Sequence, residues 1–484
     1  MVAPGRFPQV YLPLTGIALA ALWPLTANSY GAVFLPGVLA LATLAVVTIR
    51  RPEYGIAVVL ALSPFYHLGV SVPDPAGAVL SQRPLTVLLP AISGLVLLYG
   101  LLVGSGKWQA VESRRLLVAA LVFVAALLLS TAHALNPSEA GPEVSVLLTG
   151  VLLFVAVVQI CERREQLLII FAGVLIALCA ASLQGVIQHY SGDYVAGFAA
   201  GGSVFGRVQG SFDHPNQFAT FIASLAPLAG VVLFNRDFPQ PMRVLSLIGL
   251  ALAVPALVFT YSRGSLIAVV LGAIVWLAFL RPRAAIAVAV VVAVTAIALA
   301  PSTLRERFDP DTSHQDLTER VDLWNAAIAM YSEHPVLGVG INNYAVAYPD
   351  LPRTPSVAPE HRLFLEGDAQ VLPTHAHNLY LNTLAEEGIV GAIALLVLIG
   401  LSISAVYRGS RVTDSIGRSI CIGIGISLMT FLIDSFVDAT LFTEAALPLF
   451  ALLGVATVFI ALEPVGARSP RRETGRQRRR LAVT

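Results

Sequence analysis

Apolar runs of about 17 to 25 residues recur along the whole chain, each long enough to cross the hydrocarbon core of a bilayer. No other feature constrains the fold as strongly. Inside a bilayer every backbone polar group must be paired within the protein, so only helices or closed barrels can span it. Continuous runs of this length read as helices. Of 484 residues, 56% are hydrophobic and 12% charged, about half the charged fraction of a soluble domain. The expected fold class is therefore all-α, a polytopic helical membrane protein.

Hydropathy gives 14 candidate spans, near 9–27, 30–49, 53–69, 84–103, 116–133, 144–161, 166–189, 217–234, 244–261, 265–280, 285–300, 378–407, 418–435 and 443–462. Two of them are poorer: 53–69 contains Pro64 and His67, and 285–300 is short, so twelve or thirteen spans also fit. The first run, Val10 to Leu25, has no small-residue cleavage site and leads into another span, so it is expected to be retained as a span. The domain reading is helices over 1–300, a large loop at 301–377, helices again at 378–463 and a basic tail at 464–484.

The basic residues test orientation. There are 30, all arginine except Lys107. With the N-terminus cytoplasmic, 22 fall inside, and eight fall outside: Arg83, Arg207, Arg263, Arg305, Arg307, Arg320, Arg353 and Arg362. This positive-inside bias places both termini in the cytoplasm. The seven arginines of Arg468–Arg480 read as a solvated cytoplasmic anchor near anionic lipid. Cys161, Cys179 and Cys421 lie in or beside apolar runs with neither metal-ligand nor disulfide spacing, and read as packing residues.

The long polar interval from Pro301 to Thr374 is expected to carry its own structure. Asp316-Leu317-Thr318-Glu319 resembles a capping box, followed by Val321, Trp324, Ile328 and Tyr331 at helical spacing and a stop at His334-Pro335. Gly338 and Gly340 then bend the chain, and the irregular Pro352–Asp368 reads as a connector or a flap. A small helical cap on the outer membrane surface is the expectation. Arg320 would open the loop helix, where its charge opposes the helix dipole.

Several residues here suggest chemistry. Thr374-His375-Ala376-His377-Asn378 puts two proton-exchanging side chains at the membrane rim. Arg263, in Tyr261-Ser262-Arg263-Gly264-Ser265, is a cation in a very short turn between spans, and Ser262 and Ser265 can add hydrogen bonds to an anion. Arg207 precedes Gln209-Gly210-Ser211-Phe212-Asp213-His214-Pro215-Asn216, where Asn216 could cap the next helix, Asp213 could pair with Arg207, and Asp213 or His214 could meet a ligand. Asp434 and Asp438 are placed as partners for the outer arginines. A metal reading is also open: His361, His375 and His377 as ligands, or Asp309-Pro310-Asp311 as a D-x-D pair.

His377-Asn378, nine residues and then Gly388-Ile389-Val390-Gly391 form H-N-x9-G-x-x-G. This spacing resembles the signature of the O-antigen ligase and O-antigen polymerase superfamily. Gly210 to Asn216, Ser262-Arg263-Gly264, Arg320-x3-Trp324 and His334-Pro335-Val336-Leu337-Gly338-Val339-Gly340 resemble further family runs in the same order. The resemblance covers about Arg207 to Gly391 and implies a GT-C-type, lipid-linked glycosyltransferase. It implies His377 as catalytic base, Arg263 and Arg320 gripping a diphosphate, and Arg207 as a helper. His214, Asn216, Ser262, His375 and Asn378 join these as substrate-binding candidates. It further implies an undecaprenyl-diphosphate-linked glycan donor, an acceptor glycan or glycolipid, inversion at the anomeric centre and no metal or other cofactor, in a bacterial cytoplasmic membrane. The lipid bilayer is a partner and nucleic acid is not. The alternative class is a transporter for a small anion or lipid-linked substrate, against which stand the lack of an internal repeat and the scarcity of mid-span charges.

Overall fold

The computed structural model describes residues 50–67, 111–194, 206–283, 310–348 and 373–463, with short pieces between 47 and 94, at 285–287 and at 364–371. Among these, nine helices are long and apolar enough to cross a membrane. In chain order the helices are α1 (Pro52–Leu62), α2 (Val111–Ala132), α3 (Gly141–Ile160), α4 (Arg164–Ser191), α5 (Pro215–Phe234), α6 (Gln240–Phe259), α7 (Arg263–Leu280), α8 (Pro310–Glu333), α9 (Tyr344–Ala347), α10 (Leu379–Gly409), α11 (Ser415–Asp434) and α12 (Leu447–Leu462). Two antiparallel hairpins accompany them: β1 (Val70–Pro73) with β2 (Val79–Gln82), and β3 (Phe364–Glu366) with β4 (Ala369–Val371). The protein is a multi-pass helical membrane protein.

The sequence sets the helix starts by simple devices. Proline occupies the first helical position of α1, α5 and α8, where a missing N–H costs nothing. Asn378 caps α10, its Oδ1 accepting from the N–H groups of Tyr380 and Leu381 at 3.0 Å each. Asp414 caps α11 through Gly417 N–H at 2.7 Å. The centre of the bundle is α12 and α11, whose apolar windows are 83% and 72% buried, whereas only 22% of the α7 window and 33% of the α6 window are. Exposed Leu247, Val254, Ile267 and Phe279 give α6 and α7 a lipid-compatible outer face.

Helix direction sorts the polar segments to two ends. Residues 133–140, 260–262, 334–348, 373–378 and 435–446 share one end, together with Arg207, Arg263 and Arg320. The opposite end holds Arg114, Arg115, Arg163, Arg164, Arg236, Arg243, Arg281, Arg408, Arg411 and Arg418. There Arg164 pairs with Asp414 at 3.3 Å and Arg408 with Glu112 at 2.5 Å.

Nine of the expected spans appear as these helices. The 53–69 span is shorter than expected, α1 followed by a 3-10 turn at Ser63–Phe65. The spans at 9–27, 30–49, 84–103 and 285–300 lie wholly or largely outside the residues whose side chains are described, as do the tail Arg468–Arg480 and Arg83, Arg305, Arg307, Asp309, Arg353, His361 and Arg362.

The long loop departs from its sequence reading in three ways. Its helix starts at Pro310, not at a cap on Asp316, so Arg320 stands in mid-helix and opposes no helix-end dipole. The face of α8 that packs inward is Leu323, Ala327 and Met330, sharing a small core with Val339, Tyr344 and Ala376, while Val321 and Ile328 stay exposed. The β3–β4 hairpin orders part of the stretch read as irregular. The stop at His334-Pro335 and the bends at Gly338 (φ +69°) and Gly340 (φ +106°) are as expected.

A break in α10 locks this loop in place. Gly388 has φ +64° and ψ −163°, so the helix ladder is interrupted there. The carbonyls of Ala385 and Glu386 instead accept from Val339 and Gly340 N–H, each at 2.9 Å, and Ile389 N–H donates to the Pro335 carbonyl at 2.9 Å. The Ser130 hydroxyl also donates to the Glu386 carbonyl at 2.6 Å. The groups freed by the break are thus paired by the loop, as an apolar setting requires. A methyl group on Gly388 would come within 2.4 Å of the Val336 carbonyl oxygen.

Gly388→Ala is therefore expected to cost about 1–3 kcal/mol, from a strained φ and a backbone clash. Thermal unfolding in detergent should show a lowered midpoint. Gly400→Ala on the same helix, with nothing within 4 Å, should leave it unchanged or slightly raised.

Candidate functional site

The end of α11 and the turn after it, residues 434–438, gather the site. Backbone carbonyls at a helix C-terminus need outside donors, and here they come from other elements. The Ser435 carbonyl accepts Leu379 N–H at 2.9 Å, the Phe436 carbonyl accepts Asn378 Nδ2–H at 3.1 Å, and the Val437 carbonyl accepts from the Arg320 guanidinium. The buried Asp434 carboxylate accepts from the hydroxyls of Thr220 on α5 and Ser265 on α7, the latter at 3.1–3.2 Å. Four helices and the residues before α10 are thereby fixed to one turn.

His375 and His377 reach the same turn from the start of α10. Side chains two apart point to one side only if the backbone between them is extended or bent, and His377 adopts φ +46°. Ala376 between them is buried, its N–H donating to Asn382 Oδ1 at 3.0 Å. The two rings lie 4.2 Å apart. Asp438 Oδ1 is 3.2 Å from His375 Nε2 and 3.4 Å from His377 Nδ1; the second contact is within ion-pair reach but poorly aligned for a hydrogen bond. The Thr374 hydroxyl meets His375 Nδ1 at 2.9 Å.

The electrostatics follow from burial and these neighbours. Burial lowers the His377 pKa, the neighbouring His375 and Arg320 act in the same direction, and Asp438 acts against them, so the neutral ring is favoured at pH 7. Burial would raise the Asp438 carboxyl, but its contacts with the two histidines hold it well below the usual carboxylate range. An anionic carboxylate beside Nδ1 favours the imidazole tautomer with Nδ1–H, which leaves the Nε2 lone pair available.

His214 and Arg207 flank this centre. His214 caps α5, its Nδ1 accepting Asn216 N–H at 3.0 Å, and its ring lies 6.0 Å from that of His377. Burial pushes its pKa to about 3, so it serves as a neutral acceptor. Asn216, expected as the cap, instead accepts from Arg207 Nη2–H at 2.6 Å through Oδ1, and Arg207 Nε donates to the Thr260 carbonyl at 2.8 Å.

The Ser262-Arg263-Gly264 turn lies against residues 434–437. A methyl group on Gly264 would come within 2.6 Å of Val437 Cγ2, so only glycine permits this approach. Arg263 is the first residue of α7, and Ser262 Oγ lies 3.2 Å from Ser265 Oγ. Arg263 is thus held beside the turn that also anchors Arg320.

His377, His375, Asn378, Arg320, Arg207, His214, Asn216 and Ser262 all come to this end of the bundle. Asn378 caps a helix and ties the turn. Two residues have a different part from the one expected. Asp438 contacts the histidines, and Asp434 takes hydroxyls, where arginine partners were expected. Sequence reasoning also missed Thr220 and the contacts of His67, whose ring nitrogens lie 3.4 Å from Asp213 and 3.0 Å from buried Glu444. No local spacing marks these contacts, because the partners are far apart in the chain.

In a comparison with known protein families, residues 248–396 match the family described as O-antigen ligase. The matched segment contains Arg263, Arg320, His375, His377 and Gly388, and stops short of Asp434 and Asp438. No curated protein matches the chain. The central segment of the chain, with the arginines and histidines just described, is thus similar to the O-antigen ligase family.

Proposed function

We propose that the protein transfers a glycan from undecaprenyl diphosphate to a sugar hydroxyl of an acceptor glycan or glycolipid, at the outer face of the bacterial cytoplasmic membrane. The observation that carries this reading is His377 packed 3.4 Å from the Asp438 carboxylate, at the turn that also anchors Arg320 and abuts Ser262-Arg263-Gly264. The skewed arginine distribution supports the orientation, with the sparsely basic site end outward and both termini in the cytoplasm.

The steps follow from the groups present. His377 takes the proton from the acceptor hydroxyl as its oxygen attacks the anomeric carbon. Asp438 is a positioning residue: it holds the proton of His377 on Nδ1 and stabilises the imidazolium that forms. The lipid diphosphate leaves with growing negative charge, which Arg263 and Arg320 stabilise, with Arg207 assisting. Direct displacement by the hydroxyl inverts the anomeric centre. The guanidinium groups supply the positive charge that a metal would otherwise bring, so no metal is required. Either a ligase or a polymerase fits this chemistry, since the two differ in the acceptor.

The test is transfer from purified lipid-linked glycan to acceptor. His377→Ala is expected to lower turnover by about 10²–10⁴-fold, and Arg263→Ala or Arg320→Ala by about 10²–10³-fold, with each variant still folded by gel filtration. Normal turnover in His377→Ala would rule out the base assignment. EDTA is expected to leave the wild-type rate unchanged, and a loss of rate would point to metal catalysis. Because burial lowers the His377 pKa, its base form persists below the usual histidine range. The acid limb of the rate–pH profile should therefore lie below pH of about 6.5.

A further inference from the structure

The pair of histidines and the carboxylate that serve the base also have the composition and spacing of a metal site. His375 Nε2, His377 Nδ1 and an Asp438 oxygen all lie within 4.8 Å of one another. A tetrahedral Zn²⁺ with bonds of about 2.0–2.1 Å holds its ligand atoms roughly 3.3–3.5 Å apart. The Asp438 Oδ1 distances, 3.2 Å to His375 and 3.4 Å to His377, already match those edges. The second oxygen of Asp438 and His377 Nδ1 are both buried without a hydrogen-bond partner among the described residues. The outer ligand support exists too: with a metal on Nε2, the His375 proton sits on Nδ1, where the Thr374 hydroxyl at 2.9 Å accepts it. Two imidazoles and one carboxylate are a zinc-type set that leaves the fourth position open.

We propose that His375, His377 and Asp438 bind a Zn²⁺-like divalent ion, and that this binding switches the enzyme off. A neutral imidazole has one proton and one lone pair. A metal on Nδ1 takes that lone pair, so the single proton moves to Nε2. Nε2 then has no lone pair with which to accept the proton of a sugar hydroxyl. The same ion also occupies Asp438, which would otherwise hold the proton on Nδ1. Metal binding and general-base function are mutually exclusive uses of one ring. The inhibition rests on His377 being the base; the metal site does not.

The experiment uses full-length, tag-free protein in detergent, stripped with EDTA and titrated with ZnCl₂ by calorimetry, alongside Co²⁺ absorption spectra of the wild type. One ion per chain is expected, with a Co²⁺ d–d band of tetrahedral intensity. His375→Ala and Asp438→Asn should each weaken Zn²⁺ binding at least tenfold. In the transfer assay, stoichiometric Zn²⁺ should suppress turnover and EDTA should restore it. Absence of one-to-one binding, or affinity that survives both substitutions, would overturn the site and leave the glycosyltransferase reading untouched. Full Zn²⁺ occupancy with undiminished turnover would instead overturn the inhibition and the assignment of His377 as base. The wild-type Co²⁺ spectrum keeps the test decisive if a variant does not fold.

Discussion

A transmembrane helix cannot be broken in an apolar environment unless another segment takes over its backbone hydrogen bonds. That constraint shapes this protein at Gly388. The break frees carbonyls before it and N–H groups after it, and residues 335–340 answer both. The His334–Gly340 run and the G-x-x-G at 388–391 are thus two halves of one joint, although they are separated by the stretch that carries the histidines. Their glycines have no chemical task. They let two backbones meet closely enough to exchange hydrogen bonds, and in doing so they anchor the loop that carries Arg320.

The turn at 434–438 is the second fixed point. A buried carboxylate is costly unless it is hydrogen-bonded or paired. Asp434 meets that requirement with hydroxyls from two helices, and Asp438 with two histidines. The carbonyls between them accept donors from Asn378, Leu379 and Arg320. Arg320, Asn378 and His375 are therefore positioned by polar contacts at the edge of a rigid bundle, an arrangement that holds a site geometry tightly.

The sequence was most legible where a signal is local. Apolar run length located the long helices to within a few residues, since spanning a bilayer fixes length and composition together. The histidine run, the short arginine turn and the paired glycines were visible for the same reason. The start of α8 is not legible because Asp316 has the chemistry of a cap, yet the helix already runs from Pro310. The inward face of α8 was misread because Leu323, Ala327 and Met330 are chosen by the core they meet, not by their hydrophobicity within the helix. The partners of Asp434 and Asp438 were invisible: a carboxylate at a helix end suits arginine, serine or histidine equally until the fold brings one of them near.

The way Arg207 and Arg320 are held has an electrical consequence. Arg207 donates to a side-chain amide and a backbone carbonyl, and Arg320 to a backbone carbonyl, groups that accept a hydrogen bond but carry no net charge. A carboxylate in the same place would fix the guanidinium equally well and cancel its field. A neutral acceptor fixes position without adding an opposing charge of its own. At the edge of the bundle, the low dielectric of the surrounding helices extends the reach of such a cation's field.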